Sequence, residues 1–197
     1  IELYRPDEDL GLAYVYALDP YVASRKEQGW GAWVLGRVDQ AQASLRESLS
    51  WATKLQHPSS LAYALVWSTS RMHMWLNEPQ QALEAAQRCV RLSEENRFAV
   101  PLAHSRIVEA WALARLEDPN GAVAAANRAQ EDYEKTGAML EAPQFCAIHA
   151  DTLIHIGCLD EAETAIALAF ARSDQTGHRW YQPEVMRLRA VIEQARG

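Results

Sequence analysis

A period of about forty residues constrains this 197-residue chain more than any other feature. Ala41, Ala82, Ala122 and Ala162 form one column, separated by steps of 41, 40 and 40 residues. Seven residues after each alanine stands another small side chain: Ser48, Cys89, Ala129 or Ala169. Four residues after each stands Leu45, Ala86, Ala126 or Ile166, always apolar. Six residues before each stands Leu35, Leu76, Leu116 or Ile156. Further upstream a fifth column is small again, with Gly29, Ser70, Ala110 and Ala150. Aligned columns at this period denote supersecondary units that stack on one another.

Each unit reads as a helical hairpin, helix A followed by helix B. Small residues on both helices let their backbones approach closely. The seven-residue step keeps two small positions on one face of helix B. A hairpin of this kind cannot bury its apolar face alone, so neighbours complete the core. The prolines agree. Pro6, Pro20, Pro58, Pro79, Pro101, Pro119, Pro143 and Pro183 all fall at breaks or in first helical turns, where a missing N–H costs nothing.

The pattern therefore predicts an all-α fold, a right-handed α–α superhelix of about four hairpins with flanking helices, forming one repeat domain over 1–197. The repeats run at about 20–57, 58–98, 99–138 and 139–177. Helices A are expected at about 20–36, 59–76, 101–116 and 143–156, and helices B at about 39–56, 79–96, 119–136 and 160–176. Asp118 is the expected cap of the third helix B, and Gly137 and Gly177 are the expected stops of the last two. A helix at about 7–18, capped by Asp7, should precede the repeats, and one at about 180–195 should cover the end of the stack.

Composition bounds the function. Apolar residues make up 49% of the chain, enough for a continuous core, and the net charge of -7 disfavours a general nucleic-acid role. No run of eighteen apolar residues exists, so no membrane span is expected. The start at Ile1 carries no signal-peptide pattern, and the missing initiator Met suggests a fragment of a larger protein. Cys89, Cys146 and Cys158 are odd in number and form no CxxC, which fits a reduced, cytoplasmic setting with each cysteine a small buried hydrophobe.

Catalytic signatures are missing from the sequence. There is no GxxxxGK[ST] or GxGxxG phosphate loop, no HExxH and no GxSxG elbow. The cluster His149, Asp151, His155 and Cys158 offers one metal-like pair, Asp151 and His155, four apart on a helix face. Two ligands are not a site, and an ordinary surface ion pair is the expected reading. Met72, His73 and Met74 point about 100° apart in sequence and cannot converge on one ion. No cofactor or metal is therefore expected, and the chain reads as an interaction or sensor module, not an enzyme.

The columns resemble the tetratricopeptide repeat, which has a small residue in helix A, a glycine at the A–B turn and alanines in helix B. Gly36 and Gly157 match the turn, while Asn77 and Glu117 depart from it, and the repeats exceed the usual length. The stretches LGRVDQAQASLRESLSWATKLQHPSSLAYAL and TGHRWYQPEVMRLRA, with Asp19-Pro20, His57-Pro58, Trp180-Tyr181, Glu184 and Arg187-Leu188, are similar to the carboxy-terminal repeats of large bacterial signalling proteins. In those, a class III adenylate cyclase or DNA-binding module is joined to a STAND-type ATPase. The resemblance covers the repeats alone and implies neither activity here.

It does imply a concave face lined by helices A. One residue beyond the small column of helix A stand Trp30, Arg71, Trp111 and Asp151. Trp33, Trp67, Met74, Trp75, His104, Arg115 and His155 lie on the same broad face. Inter-repeat packing is the plain reading of these side chains. The functional reading is a groove centred on Trp67, Arg71 and Trp111, since Trp and Arg dominate binding hot spots. Its occupant would be a protein or peptide, or other domains of the same polypeptide. The alternatives are a small molecule sensed in the groove, and a metal at Asp151 and His155.

Overall fold

The computed structural model describes residues 4–5, 9–116, 118–139 and 141–197. Asp7, the expected cap of the first helix, and Glu117, at the third A–B turn, lie outside them. All regular structure among the described residues is helical. In chain order the elements are α1 (Leu12–Tyr16), α2 (Pro20–Val34), α3 (Val38–Leu55), α4 (Pro58–Tyr63), a π-helical segment (Ala64–Ser70) and α5 (Arg71–Trp75). There follow α6 (Pro79–Asn96), α7 (Ala99–Arg115), α8 (Pro119–Thr136), α9 (Ala142–His155), α10 (Leu159–Thr176) and α11 (Gln182–Arg196). Helices A are α2, the run α4–π–α5, α7 and α9. Helices B are α3, α6, α8 and α10.

Local chemistry sets the helix ends. Asp19 precedes Pro20 and accepts from the N–H groups of Tyr21 and Val22, each at 3.0 Å. Asp118 precedes Pro119 and accepts from the N–H of Gly121 at 2.9 Å. Both pair an N-cap carboxylate with a proline in the first turn. Every helix B is followed by a left-handed residue: Gln56, Arg97, Gly137 or Gly177. Glycine adopts that conformation freely. Gln56 and Arg97 adopt it without that freedom, so the stop is imposed by the repeat geometry and not by residue type alone. The same holds at the A–B turn, where Asn77 has φ 56° beside Gly36 at 72° and Gly157 at 83°. Asn77 departs from the glycine pattern in sequence but not in conformation.

The chain divides into two compact units, Ile1–Pro101 and Leu102–Gly197, with the division inside the first turn of α7. In the first unit α2 pairs with α3, and the π-helical segment packs against α2, α3 and α6. A buried polar chain ties the two hairpins. Tyr4 Oη donates to Asp19 at 2.8 Å, the Asp19 N–H donates to Ser60 Oγ at 2.9 Å, and Ser60 Oγ lies 2.9 Å from His57 Nδ1. Within the second unit α9 pairs with α10, and α11 packs on both. A cluster of Ala147, Ala150, Leu153, Ala162, Ile166, Ala169, Val185, Leu188 and Ile192 fills the space among them.

The small columns are the interior. Ala41, Ala82, Ala122 and Ala162 are fully buried, as are Ser48, Cys89, Ala129 and Ala169. Gly29, Ser70, Ala110 and Ala150 are buried too. Gly29 shows why. A Cβ placed there would lie 2.6 Å from the Leu45 side chain and 3.2 Å from the Ala41 carbonyl oxygen. The Leu35 column behaves differently. Leu35 is 68% exposed and Leu116 38%, because these residues close helix A instead of packing against helix B.

One departure from the expected helices has a physical cause. The second helix A is not uniform: it widens into a π-helix over 64–70. Fourteen residues separate the stop at Gln56 from Ser70, whereas thirteen separate Arg97 from Ala110 and Gly137 from Ala150. The extra residue of the 41-residue step is thus absorbed where the helix widens, since a π turn closes from i to i+5. Of the expected helix over about 7–18, the described residues hold Leu12–Tyr16, which is stopped by Ala17 at φ 58°.

Overpacking tests the close contact directly. Gly29→Ala and Ala122→Leu should each destabilise by about 1–3 kcal/mol, lowering the thermal midpoint with helical content retained. An unchanged midpoint for both would contradict the tight A–B crossing.

Candidate functional site

The column one residue beyond the small column places its members against one another within each unit. In the first unit, the Arg71 guanidinium lies 5.6 Å from the Trp30 ring and 6.0 Å from the Trp67 ring. The Trp30 indole N–H donates to the Trp67 carbonyl at 2.9 Å, inside the π-helical segment. Lys26, one turn before Trp30, sets its ammonium 4.2 Å from the same ring and 5.4 Å from Tyr63, and bonds Glu27 at 2.6 Å. Trp30 therefore meets two cations, an arrangement its negative ring face favours. Beyond it, Trp75 meets Trp30 edge-on at 5.5 Å and stacks on Trp33 at 5.0 Å.

In the second unit the same column joins Trp111 to Asp151. The Trp111 indole N–H donates to Asp151 Oδ2 at 2.9 Å, and Arg115 Nη2 donates to the same oxygen at 2.8 Å. The Arg115 guanidinium also lies 4.1 Å from the Trp111 ring. Burial lowers the pKa of Arg115, Asp151 opposes that shift, and the positive charge of Arg187 on α11 adds to it. One carboxylate thus satisfies a buried indole and a largely buried cation at once.

The remaining expected face residues separate. Trp67, Arg71, Met74, His104 and Trp111 are buried; Trp30, Arg115 and Asp151 are half-buried; His155 is exposed. His104 belongs to an aromatic core with Tyr133 and Phe145, at 5.5 and 5.6 Å. Met72 and Met74 are buried, and His73 turns away to bond Glu78 at 2.6 Å. The expected Asp151–His155 ion pair is not formed, because Trp111 and Arg115 take the Asp151 carboxylate. Among the described residues no three His, Cys, Asp or Glu side chains are grouped to hold a metal ion. Cys89 and Cys146 are buried, Cys158 is half-buried, and burial pushes the Cys146 thiol up to about 11. Sequence reasoning missed Lys26 and Tyr63, although Lys26 stands four residues before Trp30, the spacing of helical neighbours.

Two measurements bear on this geometry. Asp151→Ala should cost about 1–3 kcal/mol by leaving the Trp111 N–H without its acceptor, and Asp151→Asn should cost less, because an amide oxygen can still accept. Equal losses would show that charge, not the indole bond, dominates. Burial also lowers the pKa of His149 below the ordinary 6.5. The unfolded chain then binds the extra proton first, so this contribution to stability is complete above pH 6.5 and is lost as pH falls through the folded value. His149→Gln should flatten the acid limb of a stability profile between about pH 7 and 5.

No family model matches the chain. Over 166 residues it is 22% identical to an uncharacterized protein of Rhizobium meliloti (strain 1021), an alignment that takes 84% of this chain and 16% of the relative. The chain therefore spans about one sixth of that relative's length.

Proposed function

We propose that this chain is a protein-interaction module built on a right-handed superhelix of tetratricopeptide-like hairpins, acting as a regulatory part of a larger bacterial signalling protein and not as an enzyme. The observation that carries the reading is the repetition itself. Hairpins that share buried small columns and left-handed stops at one period are the units from which stacked repeats build a binding face. The similarity to a small fraction of a longer bacterial protein agrees with a module placed inside a larger polypeptide. The excess of acidic residues argues against nucleic acid as the partner, and the setting is cytoplasmic.

The partner is a peptide or another domain of the same polypeptide. Half-buried Trp30, Trp33 and Trp75 are the side chains it would touch in the first unit, since stacked aromatics give contact area at low entropic cost. Trp67 and Arg71 are buried behind them and hold the rings in place. A second reading, a small molecule, draws on a cavity of about 270 Å³ in the second unit, lined by Tyr133, Glu134, Met139, Cys146, Leu168 and Arg172 among others.

Panning a random peptide library against the protein separates these. Enriched peptides should bind the unmodified chain and weaken at least tenfold with Trp33→Ala/Trp75→Ala, while circular dichroism stays unchanged. Failure to enrich any peptide, or binding indifferent to the double substitution, would refute this face. A thermal shift with metabolites, abolished by Arg172→Ala, would favour the second reading.

A further inference from the structure

The columns continue past the last stop. Forty residues beyond Pro143, Ala150 and Gly157 stand Pro183, Ala190 and Gly197. α11 also sits as a helix A sits: it packs on both helices of the preceding hairpin, as the π-helical segment does on α2 and α3. Its Val185, Leu188 and Ile192 are buried in that contact. The difference lies on the other face. Gly29, Ser70, Ala110 and Ala150 are buried, but Ala190 is exposed. Met186, the counterpart of buried Cys146, is 62% exposed. Between α10 and α11 a groove of about 410 Å³ is lined by Ile166, Ala167, Phe170 and Ile192, with Glu163, Arg189, Glu193 and Arg196 around them. The first-unit counterpart of Phe170 is Leu49, which packs against the cluster that holds Ala62, Leu65 and Cys89, drawn from both helices of the next hairpin.

We propose that α11 is the leading helix of a fifth hairpin, and that Met186, Ala190 and this groove seat a helix B supplied by the polypeptide continuing from Gly197. The inference rests on the repeat reading and not on any ligand. Gly197 occupies the column of Gly36, Asn77 and Gly157, the left-handed turn residues after which helix B begins two positions on, at Val38, Pro79 and Leu159. A left-handed turn at Gly197, like those at Gly36, Asn77 and Gly157, would aim the helix that follows at Ala190. It would carry two small residues seven apart, as those do. The test compares the 197-residue chain with a chain extended by the next forty or so residues of its own reading frame. Each is made with Ala190, Ala190→Leu and Met186→Glu. Both substitutions should lower the thermal midpoint of the extended chain by several degrees and leave that of the shorter chain within a degree. The added amides should resist hydrogen exchange. A reading frame that stops at Gly197, an extension that exchanges freely, or substitutions silent in both chains would overturn the proposal. So would dimerisation of the shorter chain abolished by Ala190→Leu, which would assign the seat to a second copy. Loss or gain of peptide binding at Trp33 and Trp75 leaves these outcomes unchanged.

Discussion

The close crossing of helix A over helix B is the contact on which the rest depends. At Gly29 the neighbouring Leu45 and Ala41 leave no room for a methyl group. Elsewhere alanine, serine or cysteine occupies the same narrow space. Dispersion between close backbones, not bulky side chains, holds each hairpin. The serines add polar ties without adding volume: Ser48 donates to the Val22 carbonyl at 2.9 Å, and Ser68 donates to Ser48 at 3.0 Å. Cys89 does similar service, its thiol 3.4 Å from the Ala62 carbonyl. Each such bond is worth only about 0.5–1.5 kcal/mol net, but each also fixes register.

Register explains the π-helical segment. One extra residue in an α-helix turns everything beyond it by about 100°, which would swing Ser70 and Arg71 out of their columns. Widening the helix over 64–70 restores the face. The Trp67 carbonyl in this stretch accepts the Trp30 indole, and Thr69 Oγ1 donates to the Ala64 carbonyl at 3.2 Å. The local irregularity and the aromatic cluster are thus one feature: the segment that absorbs the insertion also anchors Trp30 beneath two cations.

The two cation–aromatic clusters solve one problem with different chemistry. Within each unit a residue of this column meets its counterpart on the next helix A. Trp30 meets Arg71 through its ring face, and Trp111 meets Asp151 through its indole N–H. In each case a further cation, Lys26 or Arg115, covers the ring of the tryptophan. Such contacts order neighbouring hairpins first. Trp67 and Trp111 are buried in that packing, whereas Trp33 and Trp75 stay half-buried.

From the sequence alone the helices could be placed, most of them to within two residues. Small columns, prolines before helices and glycines after them are local signals, and each acts through its own few residues. The column of these residues is legible in the sequence, but the burial and partners of each member are not. Nothing local distinguishes buried Arg71 from half-buried Arg115, or tells that Asp151 prefers an indole and a guanidinium to the histidine four residues on. Those outcomes depend on which side chains arrive from a helix forty residues away, and on a rotation that one residue alters by about 100°. Periodicity determined the hairpins, because their contacts repeat. Tertiary packing decided burial, the π-helical adjustment and the open face of α11, because each depends on what lies, or does not lie, against a given helix.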